Sequence, residues 1–149
     1  MKKIFTLFVF LCTISIYSQT LDKEGFEIGR AQQFGAPVEA QLTKKDNVYK
    51  ISFRDISFKT VDYYVDFEFK DENGNLDTLY AMIEKGFEEM PKDDIPVTFA
   101  NRTVYLKFTR FVGAKVLVFS CIRSEANSEV VISNFIAKKQ VDKLFGKKK

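Results

Sequence analysis

Four residues that could do chemistry stand at alternate positions within Thr60–Phe69: Asp62, Tyr64, Asp66 and Glu68. In a β-strand, alternate residues share one face, so the sequence places a row of carboxylates beside a phenol. Asp66 and Glu68 lie two residues apart, which sets their Cα atoms roughly 6.8 Å apart on a strand. Side-chain rotation reaches the separations used by paired-carboxylate glycosidases. Such catalysis also needs a cleft and one carboxyl held protonated, and a regularly alternating solvent face argues for neither. Recognition is the better use of the row: an aromatic face offers flat apolar contact, and carboxylates accept hydrogen bonds from a cationic or hydroxyl-rich partner. Ordinary solubilising charge explains the same row on a bare sheet and is the reading the sequence favours over recognition.

Other chemistry is mostly excluded. The chain has no histidine, which removes Ser-His-Asp and Cys-His catalysis and every histidine zinc site. Beyond residue 18 there is no Ser-x-x-Lys, and no glycine-rich loop joins a strand to a helix. Asp71, Asn73, Asn75 and Asp77 put oxygen ligands at alternate positions, as in a calcium loop. The glycine, however, is at the fourth position rather than the sixth, and Met82 stands where the bidentate glutamate belongs. A strand-to-helix turn capped by Asn75 explains the same letters. No cofactor motif is present. Asn101-Arg102-Thr103 matches a glycosylation sequon, but a two-residue hairpin tip is the better account.

Residues 1–18 run from Lys2 and Lys3 through an apolar stretch, Ile4–Ile16, to the small residue Ser18. This resembles a bacterial secretory signal peptide, which implies a mature start near Gln19 and a periplasmic or extracellular address. The apolar run is shorter than the ~20 residues a membrane-spanning helix needs. Cys12 follows Leu11 rather than the small residue that lipoprotein signals require. The remaining chain suits one domain with an aromatic core, since thirteen Phe and five Tyr lie beyond residue 18. Cys121 is then the single thiol, so no internal disulfide forms, and its alternation with Leu117 and Phe119 marks it as a small core residue. Residues 19–136 hold fifteen basic and nineteen acidic side chains, whereas residues 137–149 hold six lysines and one aspartate. No broad basic face exists in the body, which argues against nucleic acid. The lysine-rich end reads as a solvated terminus, with docking on the acidic stretch Asp71–Asp94 or on an anionic surface as alternatives.

These residues must be positioned by few elements. Leu76, Leu79, Tyr80, Ile83 and Phe87 recur at three- and four-residue spacings, predicting an amphipathic helix over 75–90 that ends at Gly86 or before Pro91. Alternation predicts strands over 38–42, 48–54, 60–69, 97–100, 103–110, 115–122 and 130–136, the 115–122 strand being apolar on both faces. A short helix is expected over 137–145. The pattern predicts an α+β fold: a single antiparallel sheet of five to seven strands, with curling possible, packed against one main helix. The domain divides as 1–18 signal peptide, 19–37 irregular segment, 38–146 single domain and 147–149 basic tail. The functional expectation is a small exported, non-enzymatic binding domain for a protein, a glycan or a small apolar ligand. A carboxylate-dependent hydrolase and a structural envelope subunit are the alternatives.

Overall fold

The computed structural model describes residues 25–123 and 128–147. The expected signal peptide, Cys12, part of the expected irregular segment and Lys148–Lys149 lie outside the described residues.

The fold is α+β, but with two antiparallel sheets rather than one. Strands β1 (Phe26–Gln32), β2 (Val38–Lys45), β3 (Val48–Arg54) and β4 (Tyr64–Lys70) form a meander in chain order. Helix α1 (Asn75–Glu89) then crosses to a second sheet of β5 (Ile95–Thr98), β6 (Thr103–Phe111), β7 (Ala114–Ile122) and β8 (Val130–Ile132). The short β9 (Ile136–Ala137) also pairs with β7, and α2 (Lys138–Leu144) follows. The single sheet expected from sequence is corrected at α1, because a helical crossover frees the two runs of hairpins from any need to share a ladder. Each run has one apolar face, and the two faces cover each other. Phe119 of β7 packs on Phe53 and on Phe67, both at 5.7 Å between ring centroids, and Phe67 meets Phe99 at 4.6 Å. Strand β7 is central to its sheet and buried on both sides, with Val116 and Val118 covered as well as Leu117, Phe119 and Cys121.

Helix α1 buries the face its spacing predicts: Leu79, Ile83 and Phe87 are in the core. Its start differs from expectation, and of the two expected stops it takes the one before Pro91. Gly74, at φ 72°, holds the N-cap position, while Asn75 is the first helical residue and its Nδ2 donates to Lys70 O at 3.0 Å. The helix continues through Gly86 and stops at Met90, whose left-handed backbone (φ 50°) returns its N–H to Gly86 O at 2.9 Å. At the C-terminal end, the Tyr80 hydroxyl donates to the buried Asp142 of α2 at 2.9 Å. Lys138 pairs with Glu84, and Lys147 reaches Asp77 at 2.7 Å, so two basic residues of this end dock on α1.

Three further expectations are corrected. The segment expected to be irregular contains β1, whose ladder with β2 is broken by shifts at Glu27/Gly29 and Ala31/Gln32. The expected strand over 130–136 is interrupted at Ser133, which exchanges bonds with Phe119: Phe119 N–H donates to Ser133 Oγ at 2.9 Å and Ser133 N–H to Phe119 O at 2.8 Å. The β5–β6 tip has four residues, Phe99 to Arg102, closed by Phe99 N–H to Arg102 O at 2.8 Å, and Asn101 does not take positive φ. Among the described residues, no helix is long and apolar enough to cross a membrane.

Candidate functional site

The alternating row divides at the start of β4. Tyr64, Asp66 and Glu68 lie on the outer face of the first sheet, while Val65, Phe67 and Phe69 are buried beneath. Asp62 precedes the strand, in a loop where Val61 is exposed, and its carboxylate stands 3.7 Å from Arg54. The expected strand start at Thr60 is therefore corrected, and Asp62 is not part of the row. The outer face itself is no bare surface. Asp66 lies opposite Ser52, Ser52 opposite Gln41, and Gln41 opposite Arg30; Glu68 is likewise aligned with Lys50 and Thr43. Glu39, Gln41, Thr43 and Ser52 are buried in this polar layer. Arg54 grips Glu39 with two bonds, Nη2 to Oε1 at 2.8 Å and Nε to Oε2 at 3.3 Å, and Asn134 Nδ2 adds a third at 3.2 Å. The Glu39 bond holds the Arg54 guanidinium above its ordinary pKa. Burial, followed by the nearby Asp62 charge, pushes the Tyr64 phenol up, and its hydroxyl donates to Val38 O at 2.9 Å.

The calcium-like letters have other uses. Asp71 is paired with Lys44, which keeps its carboxyl below the ordinary range; Asn73 is left-handed at φ 52°; Asn75 donates to Lys70 O; and Asp77 holds Lys147. Among the described residues, no group of three or more acidic or cysteine side chains is placed to hold a metal ion.

The concave feature beside the row is the seam between the two sheets, along the edge of β4 that β3 does not cover. A recess of about 430 Å³ there has Tyr64, Asp66 and Glu68 on one rim and Asn101, Arg102 and Arg123 on the other. A second recess, of about 330 Å³, shares Asn101, Arg102 and Arg123 and extends toward Tyr105. Both arginines continue inward-facing series: Arg102 precedes Val104 by two residues on β6, and Arg123 follows Cys121 by two on β7. The alternation that buries their neighbours turns both guanidiniums into the mouth of the sandwich.

Their electrostatic circumstances differ. Arg123 has carboxylate partners: it pairs with the completely buried Asp55, bonds Glu129 at 3.0 Å, and lies between the Phe58 and Tyr63 rings at 4.8 and 4.9 Å, although its Nε is buried without an acceptor among the described residues. Asp55 in turn accepts from Ser57 N–H at 2.9 Å and bridges to Ser133 of the other sheet, so this cluster fastens the sheets together. Arg102 has no carboxylate partner among the described residues. Among the described residues its Nη1 donates only to Cys121 Sγ, at 3.5 Å, and its Nε is buried with no acceptor. Beside it, the Asn101 side chain lies on the edge of β4, where Oδ1 accepts from Glu68 N–H at 3.2 Å and Nδ2 donates to Asp66 O at 3.3 Å.

The hollow between helix and sheet is smaller, about 220 Å³, and apolar: Phe69, Leu79, Met82, Val97 and Phe99 form its walls, with Thr78 at the rim.

Sequence reasoning found one rim of the seam and missed the other. Asn101 and Arg102 read as a hairpin tip, and Arg123, just past the expected strand over 115–122, carried no reading. The available signal was an arginine extending the inward series Val104, Leu106, Phe108, and a second extending Leu117, Phe119, Cys121. In comparisons with known proteins, no family model matches the chain, and no curated protein or solved structure is significantly similar to it.

Proposed function

We propose that this chain is a non-catalytic binding domain that recognises a carboxylate-bearing partner in the seam beside β4. One observation carries the reading: Arg102 is a half-buried guanidinium that forms no ion pair among the described residues, in a wall common to two recesses. Arginine offers five N–H donors, and here one is spent on a sulfur. A buried donor without an acceptor is costly, by about 1–3 kcal/mol and more for a charged group. A partner carboxylate supplies both missing elements, charge and a planar pair of acceptors. Asp66 and Glu68, across the recess, then act as a second set of contacts rather than as acid and base.

Titration of the purified protein with glutarate, followed by nuclear magnetic resonance, tests this. The Arg102 Nε–H resonance and the Asn101 and Thr103 amides should shift together, and Arg102→Gln should abolish the response. A response absent at Arg102, or equally strong with sulfate, overturns carboxylate recognition.

A further inference from the structure

Resting on that reading, we infer that the partner is an extended polypeptide segment carrying an acidic side chain, which adds as a strand to the free edge of β4. In β4 the odd-numbered residues turn their backbone groups toward β3, as the bond from Asp55 N–H to Tyr63 O shows at the strand's start. The even-numbered residues therefore face the seam, as the Asn101 bonds to Glu68 N–H and Asp66 O require. Tyr64 N–H, Tyr64 O and Asp66 N–H belong to the same outward set and have no backbone partner there among the described residues. The Asn101 amide sits where the peptide group of a neighbouring strand would sit, donating and accepting once each. Its bonds, at 3.2 and 3.3 Å, are at the long end of the N–H···O range. It is a placeholder that a real peptide group can displace.

Other edges of the two sheets are blunted in ways that discourage strand addition. β1 carries two register breaks. β5 has four residues and includes Pro96. β8 has three, and Ile132 O already accepts from Ile56 N–H at 3.0 Å. β4 runs seven residues in unbroken register with β3 and contains no proline. It is the edge suited to an added strand, the mode in which main-chain bonds give affinity and alternate side chains give specificity.

Charge sets the sequence of the guest. Side chains of an added strand alternate between the two faces of the sheet. One set meets Arg102 at the mouth of the sandwich, and the other meets Asp66 and Glu68 on the outer face. The favoured segment thus has Asp or Glu facing inward, flanked by Lys or Arg facing outward.

Random heptapeptides displayed by fusion through their C-termini, and so without a free terminal carboxylate, can be selected on the wild-type protein and counter-selected on Arg102→Gln. The expected winners carry an acidic residue at one fixed position with basic neighbours. In the synthetic winner, Glu→Gln should weaken binding about tenfold, as should N-methylation of a peptide nitrogen facing β4. No enrichment beyond the Arg102→Gln counter-selection overturns the proposal. So does an N-methyl scan on the wild-type protein with no sensitive position. Self-association of the purified chain through this edge, seen by analytical ultracentrifugation and abolished by Asp66→Pro, also overturns it by making a second copy the occupant. A glutarate response that survives while peptides fail removes strand addition and leaves carboxylate recognition standing; loss of both removes both.

Discussion

The ring of Phe108 occupies the space in which a side chain at Gly86 would stand. A Cβ added at Gly86 would lie 2.7 Å from Phe108 Cε1 and closer still to Cζ. Helix α1 and strand β6 approach through this contact, and the Phe87 ring meets Phe108 edge-on beside it, at 5.4 Å and 76°. Glycine in mid-helix costs about 1 kcal/mol relative to alanine, so Gly86→Ala gains that much in propensity. Overpacking a buried ring costs about 1–3 kcal/mol, and here it wins. Gly86→Ala should lower stability by about 1–2 kcal/mol in chemical denaturation, and Phe108→Leu in the same chain should recover part of the loss. A rise in stability on Gly86→Ala alone would show that the ring is free to move aside.

The β6–β7 turn stores strain at a site that makes few contacts. Val112 has φ 47° and is 90% exposed, and Gly113 follows at φ 81°. Two successive positive φ values suit an Asn-Gly pair, whereas a β-branched residue there clashes with its own backbone. Left-handed backbone costs an ordinary residue roughly 1–2 kcal/mol. Val112→Asn should therefore stabilise the protein by about 1 kcal/mol, read as a higher denaturation midpoint with an unchanged slope. A midpoint that falls would mean that Val112 packs on something the turn geometry does not reveal.

The helix at 75–90 and the strand at 48–54 were legible because their apolar residues repeat at the period of the element that forms. β1 was not. Its alternation is broken twice by register shifts, and its Gly29 reads as a strand-breaker until α2 is in place. A Cβ at Gly29 would come within 2.7 Å of the Leu144 carbonyl oxygen, so the glycine is there to admit a helix more than a hundred residues later in the chain. The split into two sheets was hidden for a related reason. Hairpins look alike whether or not their sheets join, and only the packing of Phe53 and Phe67 on Phe119 distinguishes a sandwich from a single layer. Of the site, the carboxylate rim follows from period two, while Asn101 and Arg102 acquire meaning only when β6 is set against β4.

Tyr80 links stability to alkaline pH. Burial, and then its hydrogen bond to Asp142, pushes its phenol up from 10.0 to about 12. Folded protein thus retains a proton that the unfolded chain has already released, so the contribution is complete below pH 10 and is lost progressively as the pH climbs toward 12. Tyr80→Phe should be less stable than wild type below pH 10, by about 1 kcal/mol for the lost bond. Its stability should also fall less steeply above that pH. Denaturation midpoints across the range, with tyrosinate absorbance as a second probe, check both signs. Parallel curves for the two proteins would place the alkaline transition elsewhere.

Asn101 offers the most direct view of the β4 edge. The structure gives Glu68 N–H one described acceptor, the Asn101 Oδ1 at 3.2 Å, on a strand whose neighbours Phe67 and Phe69 are bound into the ladder with β3. Removing that acceptor should leave the ladder intact and the edge open. Asn101→Ala is therefore expected to speed hydrogen exchange at Glu68 by about tenfold, the equivalent of roughly 1.4 kcal/mol of lost protection. Exchange at Phe67 and Phe69 should hold at its wild-type rate. Asn101→Asp keeps an acceptor for Glu68 N–H but loses the donor to Asp66 O and adds charge between Asp66 and Glu68, so it should protect Glu68 less well than asparagine and better than alanine. The order Asn, Asp, Ala in protection factor identifies the side-chain amide as what covers this edge. Equal protection in all three would mean that something else covers it, and the edge would then be closed to a guest strand.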